Sequence, residues 1–205
     1  MSLTLSLNRN KKEIISERLK LKNECVSMFV KNPDLIFSVK MLKSLYPTFK
    51  KMHDNLRFFE PHHLIFGNKA FYSSRTETLH ALVTSLKNCE FDKIDPNIKT
   101  QIPANVFIYA VLDKYPNRVY TSEEICKELE SRNILINSLT IQRALESVSR
   151  IELPYMGHSN IYGKKQGLLK KQILLNKKGI ETRLIIKHDN LPIYLVKGAK
   201  IYNDN

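Results

Sequence analysis

The chain predicts a mostly helical α+β fold with short β-hairpins, divided into two modules. Three observations predict it. Helix-like apolar stripes recur along most of the 205 residues. Two β-prone runs fold back on each other around a glycine, in His62–Ser74. One stretch, Asp92–Pro103, is rich in turn residues and poor in apolar ones, and places a border near residue 98. The modules are then 1–98 and 99–205. Apolar residues make up 42% of the chain and charged ones 26%, enough for a packed core and unlike a disordered tail.

In chain order, Met1–Leu7 alternates Leu3, Leu5 and Leu7 with Ser2, Thr4 and Ser6, the period of an opening strand or an ordered tail. A helix follows from about Lys11 to Val30, with Ile14, Ile15, Leu19, Leu21, Val26 and Phe29 near one stripe. Asn32-Pro33-Asp34 breaks it and opens a short helical face of Leu35, Val39, Leu42 and Leu45, which Pro47 ends. Lys50, Lys51 and Arg57 lie on a further helix or loop. His62–Ser74 reads as a hairpin around Gly67-Asn68, and Thr76–Cys89 as a helix with Leu79, Leu82, Val83 and Leu86 on one face.

Beyond the border, Ala104–Tyr115 is helical and Arg118-Val119-Tyr120 extended. Thr121-x-x-Glu124 is a capping box opening a helix to Arg132. Asn133–Ile136 connects it to a second helix, capped by Asn137 or Ser138 and running over Ser138–Ser149. Ile151–Met156 and Ile161-Tyr162-Gly163 are extended around a turn at Gly157–Asn160, and a lysine-rich run follows. The tail holds two more strand-like runs around His188–Asn190. The two halves echo each other faintly, since in each a run of helices leads to an aromatic hairpin containing glycine.

The net charge is +13, with a pI near 9.6, which favours a polyanionic partner such as nucleic acid or an anionic membrane surface. The excess is at the ends. Residues 1–60 hold 12 basic against 6 acidic residues, residues 118–150 hold 5 of each, and residues 151–205 hold 10 against 4. Cys25, Cys89 and Cys126 are odd in number and widely spaced, which argues against a disulfide framework and suits a reducing cytoplasm. Met1–Asn10 lacks a continuous apolar core, so no signal peptide is expected, and no apolar run is long enough to span a membrane.

The order from residue 104, namely helix, short strand, "YTSEEICKEL", an Ile, "LTIQRALESV" and a lysine-ended hairpin, resembles the winged-helix branch of the helix-turn-helix proteins over about 103–166. The details are similar to the DNA-binding domain of the ferric uptake regulator family through Thr121, Glu124, Ile125, Leu129, Ile136, Thr140, Arg143 and Leu145. That family's dense His/Cys metal ligands are missing here, so metal sensing is not expected. The resemblance implies a C-terminal winged-helix domain with a basic extension. The N-terminal module is either helical or a second winged helix, for dimerisation or further DNA contact.

Physical reasoning leads to the same place. Ile125 and Leu129 share one helix face, and Ile141, Leu145 and Val148 share another, so the two helices can pack together. The outer face of the second then offers Asn137, Ser138, Thr140, Gln142, Arg143 and Ser147, groups suited to base edges and phosphates at a helix N-terminus. A hairpin wing and basic tail would add His158, Asn160, Lys164, Lys165, Lys170 and Lys171. The bland alternatives are a solvated helix surface and, for Tyr155 and Tyr162, hairpin core.

Enzymatic readings find little support. His53, His62, His63 and His80 lack metal-ligand spacing, no Gly-rich phosphate loop or G-x-S-x-G elbow occurs, and the cysteines suit buried apolar positions. Asp92 and Asp95 make a poor Mg²⁺ pair. The expectation is a cytoplasmic, non-enzymatic, sequence-specific binder of double-stranded DNA that regulates transcription, with no cofactor or metal. A homodimer would suit paired half-sites. The rivals are a plasmid or phage replication initiator with tandem winged helices, and a protein-interaction module such as a bacterial effector or an assembly scaffold.

Overall fold

The computed structural model describes residues 2–47, 62–66, 69–155, 159–187 and 193–196. The fold is mostly helical α+β with two small antiparallel sheets. The chain divides into two compact units, one of residues 1–64, 70–79 and 195–205, the other of residues 65–69 and 80–194. Among the described residues no helix is long and apolar enough to cross a membrane.

The first unit begins with a single helix, α1 (Ser2–Lys31), where an opening strand or an ordered tail was expected over the first seven residues. An isolated alternating run has no neighbouring strand to accept its hydrogen bonds, whereas an existing helix extends backwards without a new nucleus. Asn32 stops α1, its side-chain amide donating to Met28 O at 2.8 Å. A two-residue strand, β1 (Phe37–Ser38), precedes α2 (Val39–Leu45). Ser38 caps α2 by accepting from Met41 N at 3.1 Å, so the expected helical face from Leu35 starts later, and Leu35 is left exposed. Lys50, Lys51, His53 and Arg57 lie outside the described residues.

The expected hairpin is present as β2 (His62–Phe66) and β3 (Lys69–Ser73). The sheet order is β1-β3-β2-β8, with β8 at Ile193–Val196, and Phe37 stands opposite Tyr72. Cys25, Phe29, Phe37, Leu42, Ala70 and Tyr72 form the core beneath. Helix α3 (Thr76–Lys87) follows, with residues 76–79 in the first unit and 80–87 in the second. It ends where Cys89 takes a left-handed φ of 54°, and Glu90 N donates back to Ser85 O at 2.8 Å.

In the second unit, Asp92–Pro103 is folded and not an open linker. A single 3₁₀ turn at Phe91–Lys93 and α4 (Pro96–Lys99) bury Phe91, Ile94, Ile98 and Ile102. Asp95 caps α4 by accepting from Asn97 N at 2.7 Å. Next come α5 (Ala104–Lys114), β4 (Val119–Tyr120), α6 (Ser122–Glu130), α7 (Ser138–Leu145), β5 (Arg150–Leu153), β6 (Ser159–Gly163), α8 (Lys165–Lys177) and β7 (Arg183–Ile185). Their sheet runs β4-β6-β5-β7. The two tail strands do not pair with each other: β7 joins β5 in this sheet, and β8 joins the other.

Strand alternation splits the second sheet into two faces. Val119, Ile151, Leu153 and Ile161 meet α8 through Leu168 and Leu175. Tyr120, Arg150, Glu152, Asn160 and Tyr162 occupy the opposite face, where α6 packs on β4 and β6. The unit is thus layered: helices α5–α7, the sheet, then α8.

Candidate nucleic-acid interface

Three local devices position α7. The capping box at Thr121 holds the start of α6, with Thr121 N donating to Glu124 Oε2 at 2.7 Å and Glu124 N to Thr121 Oγ1 at 3.2 Å. The end of α6 turns through Asn133, whose φ of 57° is left-handed, and Ile134 N donates to Leu129 O at 3.0 Å. Asn137 then caps α7 by accepting from Thr140 N at 2.8 Å. Ile125 and Leu129 of α6 and Ile141 and Leu145 of α7 are buried, as is Val148 beyond it. The Tyr109 hydroxyl of α5 donates to Ser147 O at 2.7 Å and fixes the far end.

Helix α7 is shorter than expected. It stops at Leu145, so Ser147 and Ser149 lie outside it. The reason is a distant partner: the Ser149 hydroxyl is buried and accepts from Lys187 N at 2.9 Å, and Arg150 already belongs to β5. Ser147 donates its hydroxyl to Ala144 O at 2.7 Å. Of the six residues expected on the outer face, Asn137 serves as the cap, Ser147 closes the helix end, and Ser138, Thr140, Gln142 and Arg143 stand exposed on α7.

Leu139 shares that exposed face, one turn before Arg143, at 55% exposure, and Leu135 just before the helix is 86% exposed. Both are apolar and so stand apart from the polar readout groups of the sequence. The available signal was that Leu139 falls off the Ile141–Leu145–Val148 stripe.

Gln142 borders a polar cleft of about 520 Å³, shared with Thr121, Ser122, Glu123, Ser159, Asn160 and Tyr162. Asn160 donates to the Tyr162 hydroxyl at 3.2 Å. Tyr162 is 8% exposed and Tyr155 82%, so Tyr162 is the hairpin-core residue of the pair. At the rim, the hydrogen bond and charge of Lys127 lower the Glu123 pKa, with Lys127 Nζ 2.6 Å from its carboxylate.

The expected wing and tail cations scatter. Gly157 and His158 lie outside the described residues. Lys164 is buried, ion-paired with Asp113 of α5 and 5.9 Å from the centre of the Tyr109 ring. It ties α8 to the helical layer and offers nothing to a phosphate. Lys165, Lys170 and Lys171 ride on α8, across the sheet from α6, and Lys170 donates to Asn117 Oδ1 at 3.3 Å. The structure therefore brings Gln142 and Asn160 together and separates both from the α8 lysines.

Beside this face lies a brace. Arg132 donates to Glu128 Oε1 at 2.6 Å, to Cys89 O at 3.3 Å and to the Tyr115 hydroxyl at 3.4 Å, and the Arg118 guanidinium lies 4.6 Å from the Tyr120 ring centre. Burial pushes Tyr120 up to about 12, and its hydroxyl has no hydrogen-bond partner. Burial likewise raises Cys25 to about 11 and raises Cys89 and Cys126, so all three thiols are protonated at neutral pH; Cys126 is half-buried where full burial was expected. Among the described residues, no three His, Cys, Asp or Glu side chains are grouped so that they could hold a metal ion.

Comparison with known proteins places no family beside this geometry: no family model, no curated protein and no solved structure matches the chain.

Proposed function

We propose that residues 103–166 are a winged helix and that the protein is a sequence-specific binder of double-stranded DNA, a cytoplasmic transcription regulator and not an enzyme. The observation that carries this reading is α7 itself: a helix capped and braced at both ends that leaves Ser138, Leu139, Thr140, Gln142 and Arg143 exposed beside a β-hairpin. Such a set fits a major groove. Arg143 would pair with guanine, Gln142 with adenine, and Leu139 would pack on a thymine methyl. The hairpin β5–β6 would lie against the backbone as the wing.

A gel-shift assay with generic duplex DNA at low and moderate salt tests the reading. Binding at low salt that weakens by about 0.9 log units per phosphate contact for each log unit of salt is expected. Absence of binding at low salt would leave the rival, a winged helix that docks on protein.

A further inference from the structure

The helix pair α6–α7, proposed to read the DNA, is itself poorly supplied with cations. Residues 118–150 are neutral overall, and α6 carries Glu123, Glu124, Glu128 and Glu130. Lys164 is used internally, and the α8 lysines lie behind the sheet. The phosphate-neutralising charge has to come from elsewhere, because it supplies much of the affinity for a duplex.

The chain up to α3, whose residues 80–87 belong to the second unit, repeats the order of the later elements. Each stretch has a helix, a two-residue strand, a short helix capped by a hydroxyl, and later two strands and a further helix: α1, β1, α2, β2, β3, α3 in one, and α5, β4, α6, β5, β6, α8 in the other. In each sheet the two-residue strand pairs with the last strand of the hairpin, and a strand from the chain's tail joins the other edge, giving β1-β3-β2-β8 and β4-β6-β5-β7. The caps agree too. Ser38 (φ −87°, ψ 161°) accepts from Met41 N, and Thr121 (φ −77°, ψ 167°) accepts from Glu124 N. The segment corresponding to α7 lies outside the described residues.

The charge differs where the architecture agrees. Helix α2 has no acidic residue and exposes Lys40 and Lys43. Residues 2–47 carry 9 basic against 4 acidic side chains. Resting on the DNA-binding reading above, we propose that the first unit is a second duplex-binding module, so that one chain holds two successive segments of the same DNA. The first unit adds attraction, and the helix pair in the neutral stretch 118–150 of the second makes the selection. Tethered binding of this kind strengthens the overall affinity by the effective concentration of the second module.

The test uses the full chain and duplexes of one, two and three helical turns, about 10 bp each. Affinity should rise at least tenfold from one turn to two, after allowing for the larger number of registers, with one chain per two-turn duplex by native mass spectrometry. Equal affinity per register at all lengths, or two chains on a two-turn duplex, would overturn the proposal while leaving DNA binding intact. Failure to bind any duplex would overturn both. A Gln142→Ala/Arg143→Ala variant, disabled in the second unit, should keep weak, length-independent binding; total loss would show that the first unit is no site.

Discussion

Tyr120 shows how much one side chain can say. Its ring is fully buried under Arg118, yet its hydroxyl has no partner. An unsatisfied buried hydroxyl costs about 1–3 kcal/mol, so Tyr120→Phe should raise stability by about 1 kcal/mol in urea melts at pH 7. The pH dependence has a definite sign. Tyr120 is raised from 10.0 to about 12, so the unfolded chain loses this proton first and the native state loses stability as pH climbs from about 10 to 12. Tyr120→Phe should flatten that decline, although Cys25, raised from 9.0 to about 11, keeps a similar one between about 9 and 11. A parallel fall in both proteins would contradict the assignment. At this scale the sequence was readable where chemistry is local: the Thr121–Glu124 box follows from spacing alone. It was silent on Lys164, because a lysine after a hairpin looks solvated until Asp113 of α5 is brought beside it.

At the scale of elements, the helices α5, α6 and α7 were legible because their apolar stripes and caps are local signals. Their ends were not. Helix α7 stops early because Ser149 bonds to Lys187, a partner 38 residues away that no window of sequence contains. The opening run Met1–Leu7 misled for the opposite reason: a period of two means strand only where a neighbouring strand exists. Helix α8 presents the clearest test of an element. Its N-cap residue Lys164 is a buried link to α5, so Lys164→Ala should lower stability by about 1.5–3 kcal/mol, the worth of a hydrogen bond to a charged group. It should leave the salt slope of DNA binding unchanged. A slope smaller by about one unit with unaltered stability would restore Lys164 as a phosphate contact.

For the whole molecule, the sequence suggested two modules with a border near residue 98, and the compact units divide elsewhere, because Phe91, Ile94, Ile98 and Ile102 are buried in the second unit. The echo between the halves was faint in sequence because identity is low, and it emerges in strand order and cap geometry, which tolerate substitution. A chain built from two such modules suits a regulator, and it suits a replication initiator equally; origin repeats or a promoter as the natural target would separate them. The central claim is that α7 reads bases, and selection from a pool of randomised duplexes tests it most directly. The wild-type protein should enrich a defined motif, and Arg143→Ala should relax one position of it, at a cost of about 1–3 kcal/mol. No enriched motif, or the same motif with and without Arg143, would contradict it.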